Sequence, residues 1–412
     1  LAVHPEISTL VYDWNAPERS QPHRSCALLD DTLRDGLQST AVRQPTVDER
    51  SELLVAMRRA GIDGVNLGLP AVSADAARTI AKLASEATSL GLDVVCAGRT
   101  LAADMHAIVE VAERIGAAVE GHAFVGASAL RARVEGWERA VLQKRTAEAI
   151  ETLVRAGLPA VFVTEDTTRS EPETLRALFA TALDAGATRL CLCDTVGYAT
   201  PAGVRRLVGF TRAFLAERGQ SVALDWHGHA DRGLALANAL AALDAGVDRV
   251  HGTALGIGER AGNTPIELFI LNLSLDGTRP EDLTPLAAYC RRAAALLGVE
   301  IPPNHPLVGA GAFRTATGVH AAAIRKAARQ ATWLSEQVYG AVPSSLVGRA
   351  QEVCIGPLSG RANVEHWLLL HGLPSDEALV ATLLERARAA DHVLSDEEVF
   401  ELVEKTLPGE TR

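Results

Sequence analysis

Short apolar or β-branched runs recur through the first two thirds of the 412-residue chain, at 27–31, 64–68, 93–98, 119–125, 160–165, 189–194, 222–227 and 249–254. Each is followed by a longer stretch in which apolar residues return with helical period. The stretches 47–60, 74–90, 139–156, 172–185, 201–218 and 233–245 are rich in Ala, Leu and Arg, and several end in Ala-Gly or Leu-Gly, a glycine stop typical of helix C-termini. Alternating strands and helices predict a parallel sheet, and eight such units predict a closed (β/α)8 TIM barrel of the α/β class. A doubly wound sheet would be expected to place GxGxxG after its first strand, and none stands there.

The pattern changes near residue 280. Helical segments are expected at 284–297, 318–331, 376–390 and 395–405, with Pro-rich and loop sequence between them and a further loop and helix pair across 346–372. The organisation read from this is an N-terminal extension over 1–25, a catalytic barrel over 26–283 and a small, mainly helical C-terminal region over 284–412, with no room in the latter for a further α/β regulatory domain.

Composition narrows the function classes. The chain is 48% hydrophobic and 22% charged, the profile of a globular enzyme rather than a disordered one. A net charge of −11 argues against a nucleic-acid partner, which would require a basic stripe. No apolar run approaches the roughly 18 residues needed to span a bilayer, and 1–25 has no continuous apolar stretch of the secretory kind. Six cysteines without a CxxC read as reduced core residues of a cytoplasmic protein.

Barrels keep their chemistry at the C-terminal ends of their strands. There the sequence crowds polar residues. His227 and His229 are two apart on the seventh strand, so both imidazoles face one side and can share an ion. A carboxylate from another strand end would complete three donors and leave positions open for substrate; Asp35 is the choice, with Asn263 as a fourth or water-mediated ligand. Arg34, beside Asp35, suits a 2-oxo acid carboxylate and the alkoxide formed when its carbonyl is attacked. The glycine-rich run 256–262 would let backbone come close to a pantetheine arm.

These strand ends resemble a known family, the metal-dependent 2-oxo acid acyltransferases that include 2-isopropylmalate, citramalate and homocitrate synthases, with 3-hydroxy-3-methylglutaryl-CoA lyase more distant. The motifs are Thr32-Leu33-Arg34-Asp35-Gly36-Leu37-Gln38, Glu165-Asp166-Thr167-Thr168-Arg169-Ser170, Asp194-Thr195-Val196-Gly197-Tyr198, His227-Gly228-His229 and the 256–263 loop. The resemblance implies a divalent ion (Mg, Mn, Zn or Co) on Asp35, His227 and His229 with Asn263 close by, and Arg34 on the oxo acid. It further implies Thr195 on the substrate carboxylate, Gln38 and Glu165 along the pocket, and Glu259 and Arg260 near an acyl-CoA thioester. Phe313-Arg314-Thr315-Ala316-Thr317-Gly318-Val319-His320 resembles the segment bearing the family's proposed catalytic histidine, and Tyr339 matches a tyrosine that also enters a partner's site, which implies a homodimer.

The implied activity is a Claisen-type condensation of acetyl-CoA with a 2-oxo acid, as in amino-acid biosynthesis, with His320 as the candidate base assisted by Glu259 and Tyr339. The chain departs from the family in places. Ala230 stands where HxHND is usual, Leu37 replaces a common glutamate, and Asn66 and Leu69 also differ. Leu37 gives RDGLQ, which is also how the lyase begins, so cleavage of a hydroxyacyl-CoA is the rival expectation. Before the EDT motif, Ala160-Val161-Phe162-Val163 carries none of the arginine that would grip a distal carboxylate, so a short apolar oxo acid such as 2-oxoisovalerate or pyruvate is favoured.

Overall fold

The computed structural model describes residues 6–12, 14 and 25–406, so most of the 1–25 extension lies outside the described residues. Eight parallel strands close into a barrel in sequence order: β1 Ala27–Asp30, β2 Gly64–Asn66, β3 Asp93–Arg99, β4 Glu120–Gly126, β5 Ala160–Glu165, β6 Arg189–Asp194, β7 Ala223–Gly228 and β8 Arg249–Gly252. Closure is made by β1 against β8, with Leu29 opposite His251. The predicted (β/α)8 barrel is therefore what the chain forms, and no strand bound shifts by more than two residues at either end.

Local chemistry accounts for the outer helices. Thr46 and Glu49 form a reciprocal capping box at the start of Val47–Arg59, with the Thr46 hydroxyl accepting from the Glu49 N–H. Ser73 caps Ala74–Ser89, and Thr200 caps Pro201–Glu217, whose proline stands at the first helical position. Buried Leu, Ile, Val and Ala on each inner helix face pack over the strands' outward residues, such as Leu190, Leu192 and Leu224.

Strand alternation sends the remaining residues inward. On β6 these are Arg189, Cys191 and Cys193; on β7, Asp225 and His227; on β8, Arg249 and His251. An interior this polar is unusual for parallel strands, which normally read as continuous apolar runs.

The chain divides into two compact units. Helix Thr284–Leu297, expected with the C-terminal region, belongs to the barrel unit, which comprises Trp14–Pro280 and Pro285–Ile301. Its reason is packing: Leu286, Tyr289, Cys290 and Leu297 are buried, and Tyr289 donates a 2.6 Å hydrogen bond to Asp30 at the end of β1.

The second unit, mainly Pro302–Arg412, is helical as expected. Helices Arg361–Leu370, Glu377–Ala389 and Asp396–Thr406 share a core of Val364, Trp367, Leu368, Leu379, Leu383 and Val399. Trp367 satisfies its indole N–H on Asp396 at 2.6 Å. A two-stranded parallel ladder, Arg314–Thr315 with Glu352–Val353, was not expected from the sequence pattern. No helix among the described residues is long and apolar enough to cross a membrane.

Candidate functional site

The C-terminal ends of the barrel strands surround a cavity of about 220 Å³. Arg34, Asp35, Gln38, Glu165, Thr195, His227, His229 and Glu259 all line it, so eight of the expected residues meet in one place. Three donor atoms converge in it. The Asp35 carboxylate oxygen lies 3.1 Å from His227 Nε2 and 3.3 Å from His229 Nε2, and the two ring nitrogens are 3.3 Å apart. Donors held in neighbouring positions about an octahedral ion, with bonds of about 2.1 Å, stand about 3 Å from one another. The spacing fits three ligands of one divalent ion.

Asp31, at the end of β1, explains why the set is aimed this way. It is fully buried, and its carboxylate accepts from His227 Nδ1 at 3.1 Å and from Arg34 Nη2 at 3.0 Å. Burial alone would push the Asp31 carboxyl up, but the Arg34 guanidinium and the hydrogen bonds from His227 and His251 hold it well below the usual carboxylate range. An ionised carboxylate only accepts, so Nδ1 of His227 carries a proton toward Asp31, and an ion bound at Nε2 would take the place of that nitrogen's proton.

The electrostatics also call for positive charge at the point of convergence. Burial pulls the His227 imidazole down, but its hydrogen bonds to the Asp31 and Asp35 carboxylates outweigh it and raise the group to about 10. Asp35 is likewise held far below its ordinary value, against its burial, by Arg34 and the two histidines. Two further atoms wait for a partner: His229 Nδ1 and Asn263 Oδ1 are buried without a hydrogen bond, while Asn263 Nδ2 donates to Asp35 at 2.9 Å. Spacing, charge and the orphaned amide oxygen agree that these residues fit a metal.

The surrounding loops are built to hold this geometry. A Cβ on Gly258 would lie 2.4 Å from Asn263 Oδ1, and one on Gly262, at φ +89°, would lie 2.0 Å from the Gly256 carbonyl. The glycines of the 256–262 run are thus required by the loop's own packing against Asn263, and the free approach expected there for a pantetheine arm is taken up by the loop itself.

Thr195 Oγ1 accepts from the Asp166 N–H at 2.8 Å, which leaves its own proton free to be donated into the cavity. Glu165 is paired at 3.0 Å with Arg131, from helix Ala129–Glu135; burial raises its carboxyl, with Arg131 opposing. Glu259 sits at the rim with about half of its side chain exposed.

Arg260 is placed differently from the expectation. It does not line the cavity, because its guanidinium donates to Asp231 at 2.8 and 3.1 Å and to the Thr195 carbonyl at 2.6 Å. It clamps the loops after β6, β7 and β8 together. His320 and Tyr339 belong to the C-terminal unit, where their rings stack with centroids 3.9 Å apart beside a cavity of about 300 Å³ also lined by Phe313 and Arg314.

Sequence reasoning missed Asp31, His122 and His251 as site residues. His122 and His251 line the same cavity, and Asp31 orients its ligands. The signal was present as the same two-residue alternation that exposed His227 and His229: Glu120-x-His122 on β4 and Arg249-x-His251 on β8. Asn66 and Leu69, noted as departures from the family pattern, also line the cavity, as do the apolar Ala97, Phe124 and Val163.

Comparison with known proteins agrees with this architecture. The HMGL-like family profile matches residues 25–289. A homocitrate synthase of Methanopyrus kandleri is 32% identical over 364 residues, spanning 87% of this chain and 86% of its own length. A 2-isopropylmalate synthase of Pyrococcus abyssi is 32% identical over 309 residues, 72% of this chain and 61% of that protein. Among solved structures, an HMG-CoA lyase of Bacillus subtilis superposes with a TM-score of 0.57 at 20% identity, over 68% of this chain and 97% of its own, a likeness of fold. With a profile match across the whole barrel and relatives of this extent, the chain belongs to the HMGL-like family of metal-dependent barrel enzymes.

Proposed function

We propose that the protein is an acyltransferase that condenses acetyl-CoA with a small, apolar 2-oxo acid and hydrolyses the thioester, giving an alkylmalate-type product. The observation that carries this reading is the convergence of Asp35, His227 and His229 beside Arg34 in a cavity also lined by the apolar Ala97, Phe124 and Val163. Relatives with synthase activities support the acyl-transfer class.

A divalent ion held by Asp35, His227 and His229, with Asn263 beside it, would polarise the oxo acid's carbonyl. The chain's own groups do the rest. Arg34, fixed by Asp31, faces the negative charge that develops on that carbonyl oxygen. Thr195 donates its free hydroxyl proton to the substrate carboxylate. Gln38 and Glu165 bound the pocket, and Arg260 holds the Thr195 loop in place. The acetyl methyl must lose a proton to a base and attack the oxo carbon, after which water cleaves the thioester and the CoA thiol leaves. His320 and Tyr339 of a second copy, with Glu259 at the rim, are assigned to that proton transfer, which makes the working unit a homodimer.

Cavity size and wall chemistry favour a short acceptor. The volume of about 220 Å³ is below the roughly 300–1,000 Å³ typical of pockets for drug-sized ligands. Val163, Phe124 and Ala97 offer no cation to a distal carboxylate, and burying one unpaired would be costly. The test is to incubate the protein with acetyl-CoA and a panel of 2-oxo acids while following free thiol. Release that depends on 2-oxoisovalerate or pyruvate is expected. Release driven by 2-oxoglutarate would overturn the acceptor, and liberation of acetyl-CoA from a hydroxyacyl-CoA would replace the synthase by a lyase.

A further inference from the structure

We propose that the inner wall of the barrel carries a second metal site, in which Cys191, Cys193, His251 and Asp225 hold a thiophilic divalent ion such as Zn2+ or Cd2+. It is distinct from the Asp35, His227 and His229 set and draws on groups for which the condensation has no use.

The two thiols are alternate residues of β6, and both line the cavity, with their sulfurs 3.8 Å apart. Two thiolates bound tetrahedrally to one ion at about 2.3 Å stand about 3.8 Å from each other. Direct joining as a disulfide suits the pair less well. Alternate residues of an extended strand have Cα atoms about 6.6 Å apart, at the far edge of the disulfide range, so the bond would have to bend the strand. An ion bridges the sulfurs where they already are.

Neighbouring strands supply the other donors. The Cys191 sulfur, an Asp225 oxygen and a His251 ring nitrogen all lie within 4.8 Å of one another, and His251 Nε2 is 3.0 Å from Asp225 Oδ2. The opposite nitrogen of His251, Nδ1, is 3.5 Å from Asp31, so the carboxylate that turns His227 toward one site stands behind His251 for the other. One carboxylate thus backs one histidine of each set. Cys191, Cys193 and His251 all face the cavity, which gives an ion its route in.

Charge and chemical type separate the two sites. Without an ion, burial keeps the Cys191 thiol protonated far above its ordinary range. Binding a divalent ion while two S–H protons leave changes no net charge in the barrel, so the burial cost of an isolated ion does not arise. Arg189 and Arg249 already balance Asp225. Two thiolates select soft ions, whereas the carboxylate and imidazoles nearer the mouth also accept harder ones.

The experiment titrates chelator-treated full-length protein with Cd2+, measuring bound metal by equilibrium dialysis and the thiolate-to-cadmium absorption in the near ultraviolet. The unaltered protein should take two equivalents and develop the band. Cys191→Ala/Cys193→Ala should keep one equivalent and lose the band, while His227→Ala should lose an equivalent and keep it. Absence of the band from the unaltered protein, or a band of equal size in the double variant, overturns the site. Should the double variant fail to fold, Cys193→Ala alone serves, with the same loss of the band expected. None of these readouts depends on turnover, so they stand or fall separately from the proposed condensation.

Discussion

The barrel interior holds two buried polar clusters, built by the same strand alternation and finished in opposite ways. Toward the strand starts, Asp225 is gripped by Arg189 at 2.7 Å and by Arg249 at 2.5 Å, and Glu120 accepts from Arg249 and pairs with His122 at 2.8 Å. Every charge there meets an opposite charge within the chain. Toward the strand ends, one Asp35 oxygen and the Nε2 atoms of His227 and His229 converge on a common point, and Asn263 Oδ1 and His229 Nδ1 are left without partners. A buried network whose charges are already paired shapes the barrel whether or not the neighbouring thiols hold an ion. One that leaves donors aimed at a common point is completed by something from outside.

The largest test of this contrast removes a donor from the open cluster. His227→Ala should abolish stoichiometric binding of Mg2+ or Mn2+ and lower kcat/KM for thiol release by on the order of 10³-fold or more, the scale of losing a group that stabilises developing charge. Thermal stability of the metal-free form should change little by comparison. Retention of a full equivalent of Mg2+ or Mn2+ by this variant would remove the metal reading of the mouth.

The closed cluster should answer in the opposite currency. Arg249→Met leaves Asp225 and Glu120 without their shared guanidinium and should cost about 3–5 kcal/mol in a denaturant titration, the usual cost of stranding a buried charge. Mg2+ or Mn2+ content per folded molecule should hold. Acid should reveal the same pairing. Burial would raise the Glu120 carboxyl, but His122 and Arg249 hold it at about 2. Its folded value lies below its unfolded one, so its contribution is present above about pH 4.5 and is lost as pH falls toward 2. Arg249→Met should flatten the stability profile in that window. An unchanged acid limb would mean the pairing does not hold Glu120 down.

How far this contrast could be read from the sequence depends on what each residue type signals by itself. The eight strands were legible because their outward faces and turns are regular, and His227 and His229 because two imidazoles at strand spacing have few structural uses. Asp35 and Arg34 followed from their places at strand ends, Gln38, Glu165, Thr195 and Glu259 from the family resemblance, and the structure lines one cavity with all six. Asp31 and His251 were not singled out, because nothing in their own strands marks the pairing of Asp31 with His227 across the barrel, 196 residues away, or of His251 with Asp225 on the next strand. Arg260 was legible as a strand-end residue but not as a clamp, since its partners Asp231 and Thr195 are set by how three loops pack. Helix Thr284–Leu297, expected with the C-terminal region, groups with the barrel unit, and amphipathic period could not tell this, since it shows that a face is buried and not against what.

The smallest expected effect falls on the residue that touches both clusters. Asp31 meets His227 in the open set and, through His251, reaches Asp225 in the closed one. Asp31→Asn keeps the side chain's size and an accepting oxygen but removes the charge that fixes the His227 tautomer and the Arg34 guanidinium. If Asp31 acts by positioning, metal affinity should weaken by roughly 10–100-fold, the range for losing a carboxylate behind a ligating imidazole. The KM for the oxo acid should rise because Arg34 is freed, and saturating metal should restore most of kcat without restoring KM. That split is the deciding readout, since a simple loss of folding would lower kcat and active fraction together and leave KM where it was. A variant with unaltered metal affinity and unaltered KM would show that the two clusters are independent, and that the strand-end set is aimed by backbone geometry alone.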